Sequence, residues 1–224
     1  MMRVWLLTAL LAAALLGWTP AAGAANGCGD LGGTLDQEGM CRTQESRTHY
    51  DLDIAFPVDY PDQAAITEFI TTTRDGFVDT ALDRRAHNLP YRMEIQSTEH
   101  ATETTRSVAF EVYQNVGGAH PSSWYQTFNY DLARQRPITF EALFAPDTRP
   151  LEAIYPLVQR ELADRLGVPD PVSPKTGLDA ASYQSFAITP DQLIFYFDRG
   201  AIMAGAAGAH TVALPRAELP RLAV

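Results

Sequence analysis

From residue 49 onward the chain is built of segments in which apolar and polar positions take turns. Over residues 49–56, Tyr50, Leu52, Ile54 and Phe56 fall on one side and Asp51, Asp53 and Ala55 on the other. That period of two marks a half-buried strand, which Pro57 ends. The period then lengthens. Ile66, Phe69, Ile70, Thr73, Phe77, Ala81 and Leu82 recur at helical spacing, with Glu68, Arg74, Asp75 and Asp79 outside the stripe. They predict a helix over about 61–84, with Asp59 as its candidate N-cap. Strands are predicted next at 91–98, 106–115 and 122–130, with Gly117-Gly118 turning between the last two. In the third of these Trp124, Gln126, Phe128 and Tyr130 share a face, which puts Tyr125 on the other.

A second stripe, Leu151, Ile154, Tyr155, Val158, Leu162 and Leu166, follows a short helical turn at 140–144. Thr148 is its expected cap, Pro150 suits its first turn, Pro156 favours a kink, and Gly167 is placed to end it. Strands at 183–188, 193–197 and 211–214 complete the chain, with Pro190-Asp191 turning the first pair. Two strand–helix–strand passes predict an α+β fold, mostly antiparallel sheet with two amphipathic helices. The expected organisation is an N-terminal lobe at 49–135 and a C-terminal lobe at 136–224.

The start of the chain follows neither period. After Arg3, residues 4–18 carry no charge, Pro20 interrupts, and Ala22-Gly23-Ala24 supplies a small-x-small site. That order predicts a cleavable secretory signal over residues 1–24 and a secreted, extracellular product. The apolar run is shorter than the ~20 residues a spanning helix needs, so no membrane span is expected after cleavage. The two cysteines, Cys28 and Cys41, both remain in the product. In an oxidising compartment a disulfide between them is the natural reading, closing a segment at 25–48. Such a bridge adds on the order of 3 kcal/mol in the chain-entropy model. With the main strands expected after residue 48, the fold is expected to survive its loss.

Charge narrows the partners. The whole chain has a formal charge of −10, and losing Arg3 with the signal takes the product to −11. Nucleic acid is excluded as a partner, because phosphate neutralisation needs cations. A soluble monomer is expected, its partner an unidentified protein or envelope component.

Chemistry is less legible. His49, His87, His100, His120 and His210 form no H-x-H or H-x-x-x-H pair, so no metal site is predicted. No G-x-S-x-G, P-loop or dinucleotide fingerprint occurs, and no cofactor or catalytic residue is assigned. The expectation is therefore a protein that is not an enzyme. Gly117-Gly118-Ala119-His120-Pro121 admits two readings: a tight turn, or an anion cradle with a histidine beside it as the base of a hydrolase. Tyr125 is a candidate aromatic anchor for a partner. Gly117, Gly118, His120, Tyr125 and Asp131 are the candidate binding or turn residues.

Several of these pieces carry a resemblance. The run from Tyr113 through Gly117-Gly118-Ala119-His120-Pro121, then Phe128-Asn129-Tyr130-Asp131 and Pro137-Ile138-Thr139, resembles the mycobacterial secreted immunogenic protein 64 antigen family. Tyr60-Pro61-Asp62-Gln63, Gly177-Leu178-Asp179 and Tyr183-Gln184-Ser185-Phe186-Ala187 agree in order. The same pieces are similar to a wider extracellular domain of lysozyme-sensing anti-sigma factors. The resemblance implies a β-grasp-like C-terminal part and a secreted antigen of host or envelope contacts, with a lysozyme-type binder as an alternative. It carries no catalytic residues.

Overall fold

Residues 26–224 are described in the computed structural model of the chain; the export signal expected at 1–24 lies outside them. The segment before residue 48 is more structured than its composition suggests. A short helix α1 (Asn26–Asp30) and a two-residue strand β1 (Thr34–Leu35) lead to β2 (Met40–Ser46). The expectation that the strands begin after residue 48 is therefore corrected: β2 pairs along its whole length with β3 (Tyr50–Pro57). Cys28 and Cys41 form the disulfide, and Cys41 is fully buried in β2. Gly33 lies against it, where a Cβ would meet Cys41 Sγ at 2.5 Å and Thr43 Oγ1 at 2.7 Å.

After β3 the chain crosses over through α2 (Gln63–Leu82) and returns as β4 (Tyr91–Ala101), parallel to β3. Asp59 is not the cap; Asp62 precedes the first turn and makes no side-chain cap bond. β5 (Thr105–Asn115), β6 (Ser122–Asp131) and the short β7 (Arg136–Pro137) follow as an antiparallel meander. The result is one seven-stranded sheet in sequence order, antiparallel except at β3–β4. Ile66, Ile70, Phe77 and Ala81 of α2 share a core with Ile54, Met93, Ile95 and Phe110 of the sheet. Trp124 and Phe128 pack against that core, as their common face requires, and Phe128 meets the ring of Phe69 at 5.9 Å.

The remainder forms a second core. A turn of helix α3 (Phe140–Leu143) leads to α4 (Pro150–Leu166), which runs on through Pro156 and ends at Gly167 with φ 65°. Arg149, not Thr148, is the residue before its first turn; the Thr148 hydroxyl donates to the Ala145 carbonyl instead, at 2.6 Å. α5 (Pro174–Gly177) and a 3-10 turn at Ala180–Tyr183 precede β8 (Phe186–Ile188), β9 (Gln192–Phe197) and β10 (His210–Pro215). The strand expected over 183–188 is shortened because Tyr183 turns inward, stacking on Phe140 at 5.9 Å and donating its hydroxyl to the Gly177 carbonyl. The three strands make an antiparallel sheet, with Ile154, Val158 and Leu162 of α4 in its core. The fold is α+β, mostly antiparallel, and this helix-on-sheet unit is its β-grasp-like part.

Candidate functional site

Residues 116–121 connect β5 to β6. Gly117 takes the left-handed conformation (φ 72°), and a Cβ there would lie 2.7 Å from the His87 carbonyl. Its N–H donates to Asn115 Oδ1 and its carbonyl accepts from Asn88 Nδ2. Gly118 is the glycine that does not need its freedom: its φ is not positive and open space surrounds its Cβ position. The loop is a turn pinned to the segment before β4, and His120 stands exposed at its tip. Among the described residues, no group of three or more His, Cys, Asp or Glu side chains is placed to hold a metal ion.

Tyr125 does lie opposite Trp124, Phe128 and Tyr130, but not as a free anchor. Its ring meets that of Tyr196 on β9 at 5.1 Å, and its backbone N–H donates to Asp198 Oδ1 at 2.7 Å. Burial holds the Tyr125 hydroxyl above the usual tyrosine range, and burial pushes that of Tyr196 up to about 12. Asp131 is buried at the far end of β6. Burial acts to raise its pKa, but the Arg134 amide and guanidinium and the Ala133 amide all donate to it and leave the carboxyl below its ordinary value. Asp131 caps a turn. The five candidates are thus spread over both ends and the middle of β6, and the fold does not gather them into one site.

Polar residues the sequence did not single out meet where the two sheets touch. Ser107 and Asn129 are register partners on β5 and β6, and both are buried. Ser107 Oγ donates to Asn129 Oδ1 at 2.6 Å and accepts from the Ile188 N–H; Asn129 Nδ2 donates to the Phe186 carbonyl at 2.8 Å. Thr127 Oγ1 accepts the Phe186 N–H. Side chains of the large sheet thereby supply the hydrogen bonds that a neighbouring strand would give β8. His100, the register partner of Ser107 on β4, completes the row; its Nε2 is buried without a partner, and burial lowers its pKa. Alternation places Ser107, Thr127 and Asn129 on one face, which is the signal that was available. The bonds of Ser107, Thr127 and Asn129 to β8 make this face a joint between the sheets.

Several shallow concave surfaces mark the described residues, the larger ones beside α2 and along β2–β4; two others lie near the features above. On the sheet face opposite α2, beyond the part β8 covers, Glu94, Gln96, Glu111 and Tyr113 line a groove of about 290 Å³. At the start of α4, Phe140, Phe144, Ala145, Leu151 and Ala180 wall a cavity of about 400 Å³, with Glu141, Arg149 and Glu152 among its polar lining.

Comparison with known proteins bears on what these surfaces do. Residues 141–217 match the family model described as "Protein of unknown function (DUF3298)". A DUF3298 family protein from Pseudomonas aeruginosa PAO1 shares the fold, with TM-score 0.56 at 14% identity over 86% of this chain and 95% of that one. Esterase Rv3036c of Mycobacterium tuberculosis is 49% identical over 228 aligned residues, covering 100% of both chains. Its name overturns the expectation of a protein that is not an enzyme: lack of the α/β-hydrolase nucleophile motif does not exclude catalysis on a different fold. Immunogenic protein MPT64 of M. tuberculosis is 37% identical over 196 residues, covering 86% of each chain. The chain belongs to the family of the mycobacterial immunogenic protein MPT64.

Proposed function

We propose that this chain is an exported ester hydrolase within the MPT64 antigen family. The observation that carries this reading is the 49% identity to Esterase Rv3036c over the full length of both chains. Export rests on the n-region, apolar run and small-x-small site of residues 1–24. The purified product, residues 25–224, is expected to release p-nitrophenol from p-nitrophenyl acetate and butyrate in proportion to protein. Release no faster than that of the heat-denatured protein refutes the reading.

A second reading is favoured by one feature, the uncovered sheet face. Asp51, Asp53, Glu94 and Glu111 all lie on it, and Arg92, beside Asp51 in the register, is paired to Glu94 at 2.6 Å. With a product charge of −11, this face suits a cationic protein partner whose encounter is steered by charge. Lysozyme is the simplest probe. An association rate that falls with salt while dissociation stays constant supports a built site; no association at low salt removes the reading.

A further inference from the structure

We propose that the cavity at the start of α4 is the acyl pocket of this hydrolase and takes a straight aliphatic chain, with the uncharged ester group held at its polar rim. The proposal rests on the ester-hydrolase reading and adds to it a place and a substrate class.

The walls are carbon. Phe140, Phe144, Leu151 and Ala180 line the cavity, and its volume of about 400 Å³ falls in the range of small-molecule sites. The walls are also fixed before any ligand arrives. The Phe140 ring is held between Tyr183, at 5.9 Å, and Phe144, at 5.7 Å. The Phe144–Ala145 segment is tied to the end of the chain: the Ala145 N–H donates to the Arg221 carbonyl at 3.0 Å, and Phe144 bridges to Leu222. A pocket preformed in this way costs little ordering on binding.

The rim selects the head group. Glu141 and Glu152 bring two carboxylates, and the one guanidinium, Arg149, is bonded to Glu152 at 3.3 Å. A free fatty-acid carboxylate meets net negative charge there, whereas an ester does not. The rim therefore favours substrate over acid product, which aids release. An ester carbonyl still needs a donor, and the first turn of α4 is suited to provide one. Pro150 has no N–H and the preceding Arg149 contributes no side-chain cap, so the next amides have no capping acceptor.

The test compares p-nitrophenyl acetate with p-nitrophenyl octanoate on the product, residues 25–224. Ala180→Phe fills the cavity and is expected to lower kcat/KM for octanoate about tenfold or more while changing acetate by less than about twofold, a hydrophobic pocket's usual discrimination. Leu151→Ala enlarges it and is expected to shift preference toward the longer chain; it also serves if Ala180→Phe does not fold. An unchanged chain-length profile in the folded variants overturns the pocket while the hydrolase reading stands. If the unaltered product hydrolyses no ester, that reading fails alone, and calorimetry with methyl octanoate decides the pocket. Binding that is lost in Ala180→Phe, and weaker for free octanoate, keeps it; no binding overturns it.

Discussion

In the first lobe β4, β5 and β6 run to ten or eleven residues and α2 lies across them; in the second the three strands are three to six residues long. Long strands let the large sheet fix its own register through continuous pairing from β2 to β6. The small sheet has no such reserve. It fills its core with rings, Phe140, Tyr183, Phe195 and Phe197, that meet one another between 5.2 and 6.4 Å. It also draws the hydrogen bonds of β8 from side chains of its neighbour. A short-stranded unit can thus be specified by aromatic packing and by a borrowed surface, where a long-stranded one relies on its ladder.

The sharpest way to break this contrast is at Tyr183. It is fully buried and touches three other rings. Tyr183→Ala is expected to cost about 3–5 kcal/mol, the usual range for emptying a buried aromatic site. Urea unfolding followed by near-ultraviolet dichroism measures it, and a loss under about 1 kcal/mol contradicts the ring-centred core. Next is the joint. Asn129→Ala leaves the buried Phe186 carbonyl unpaired and is expected to cost about 1–3 kcal/mol. Amide exchange should quicken in β8 and β9 before β4 and β5; equal quickening in both sheets argues against a borrowed surface.

A smaller effect separates the two glycines of the β5–β6 turn. Gly117→Ala is expected to cost about 1–2 kcal/mol for the left-handed backbone alone, and Gly118→Ala a few tenths. Melting temperatures that reverse this order refute the turn geometry. The smallest effect is with pH. Burial lowers the pKa of both His100 in the large sheet and His210 in the small one, and Arg165 adds to the shift at His210. The unfolded imidazoles take up protons near 6.5, above their folded values. Stability is therefore full above about pH 7 and declines as pH falls through 6.5 toward 5. His100→Gln and His210→Gln should each flatten that slope, and three equal slopes would rule both histidines out.

Much of this architecture is written in periodicity. The stripe from Ile66 to Leu82 falls on α2, and Gly167 ends α4 in the conformation for which glycine is suited. Strand β2 was not legible, because Arg42, Gln44 and Glu45 look like loop; it forms because β3 offers a partner along all seven residues and Cys41 is drawn inward. Asp131 was legible only as a candidate binding or turn residue, because a lone acid in sequence does not reveal the three donors that engage it in the turn after β6. The cavity at α4 could not be read either. Its walls come from residues as far apart as Phe140 and Ala180, and its shape depends on Arg221 and Leu222 at the end of the chain.

The joint between the sheets also orders events in time. Pairings from β2 through β6 join segments close in sequence, and only the crossover through α2 intervenes. The bond from the Ile188 amide to Ser107 spans 81 residues, and its acceptor is positioned only after β5 and β6 have paired. Loop closure over such a separation is slow unless the receiving surface is already formed. A chain emerging from its beginning would complete the large sheet first and present a finished template to β8. The last strand to settle is then the one with the least ladder of its own, and slow refolding phases should report on the small sheet.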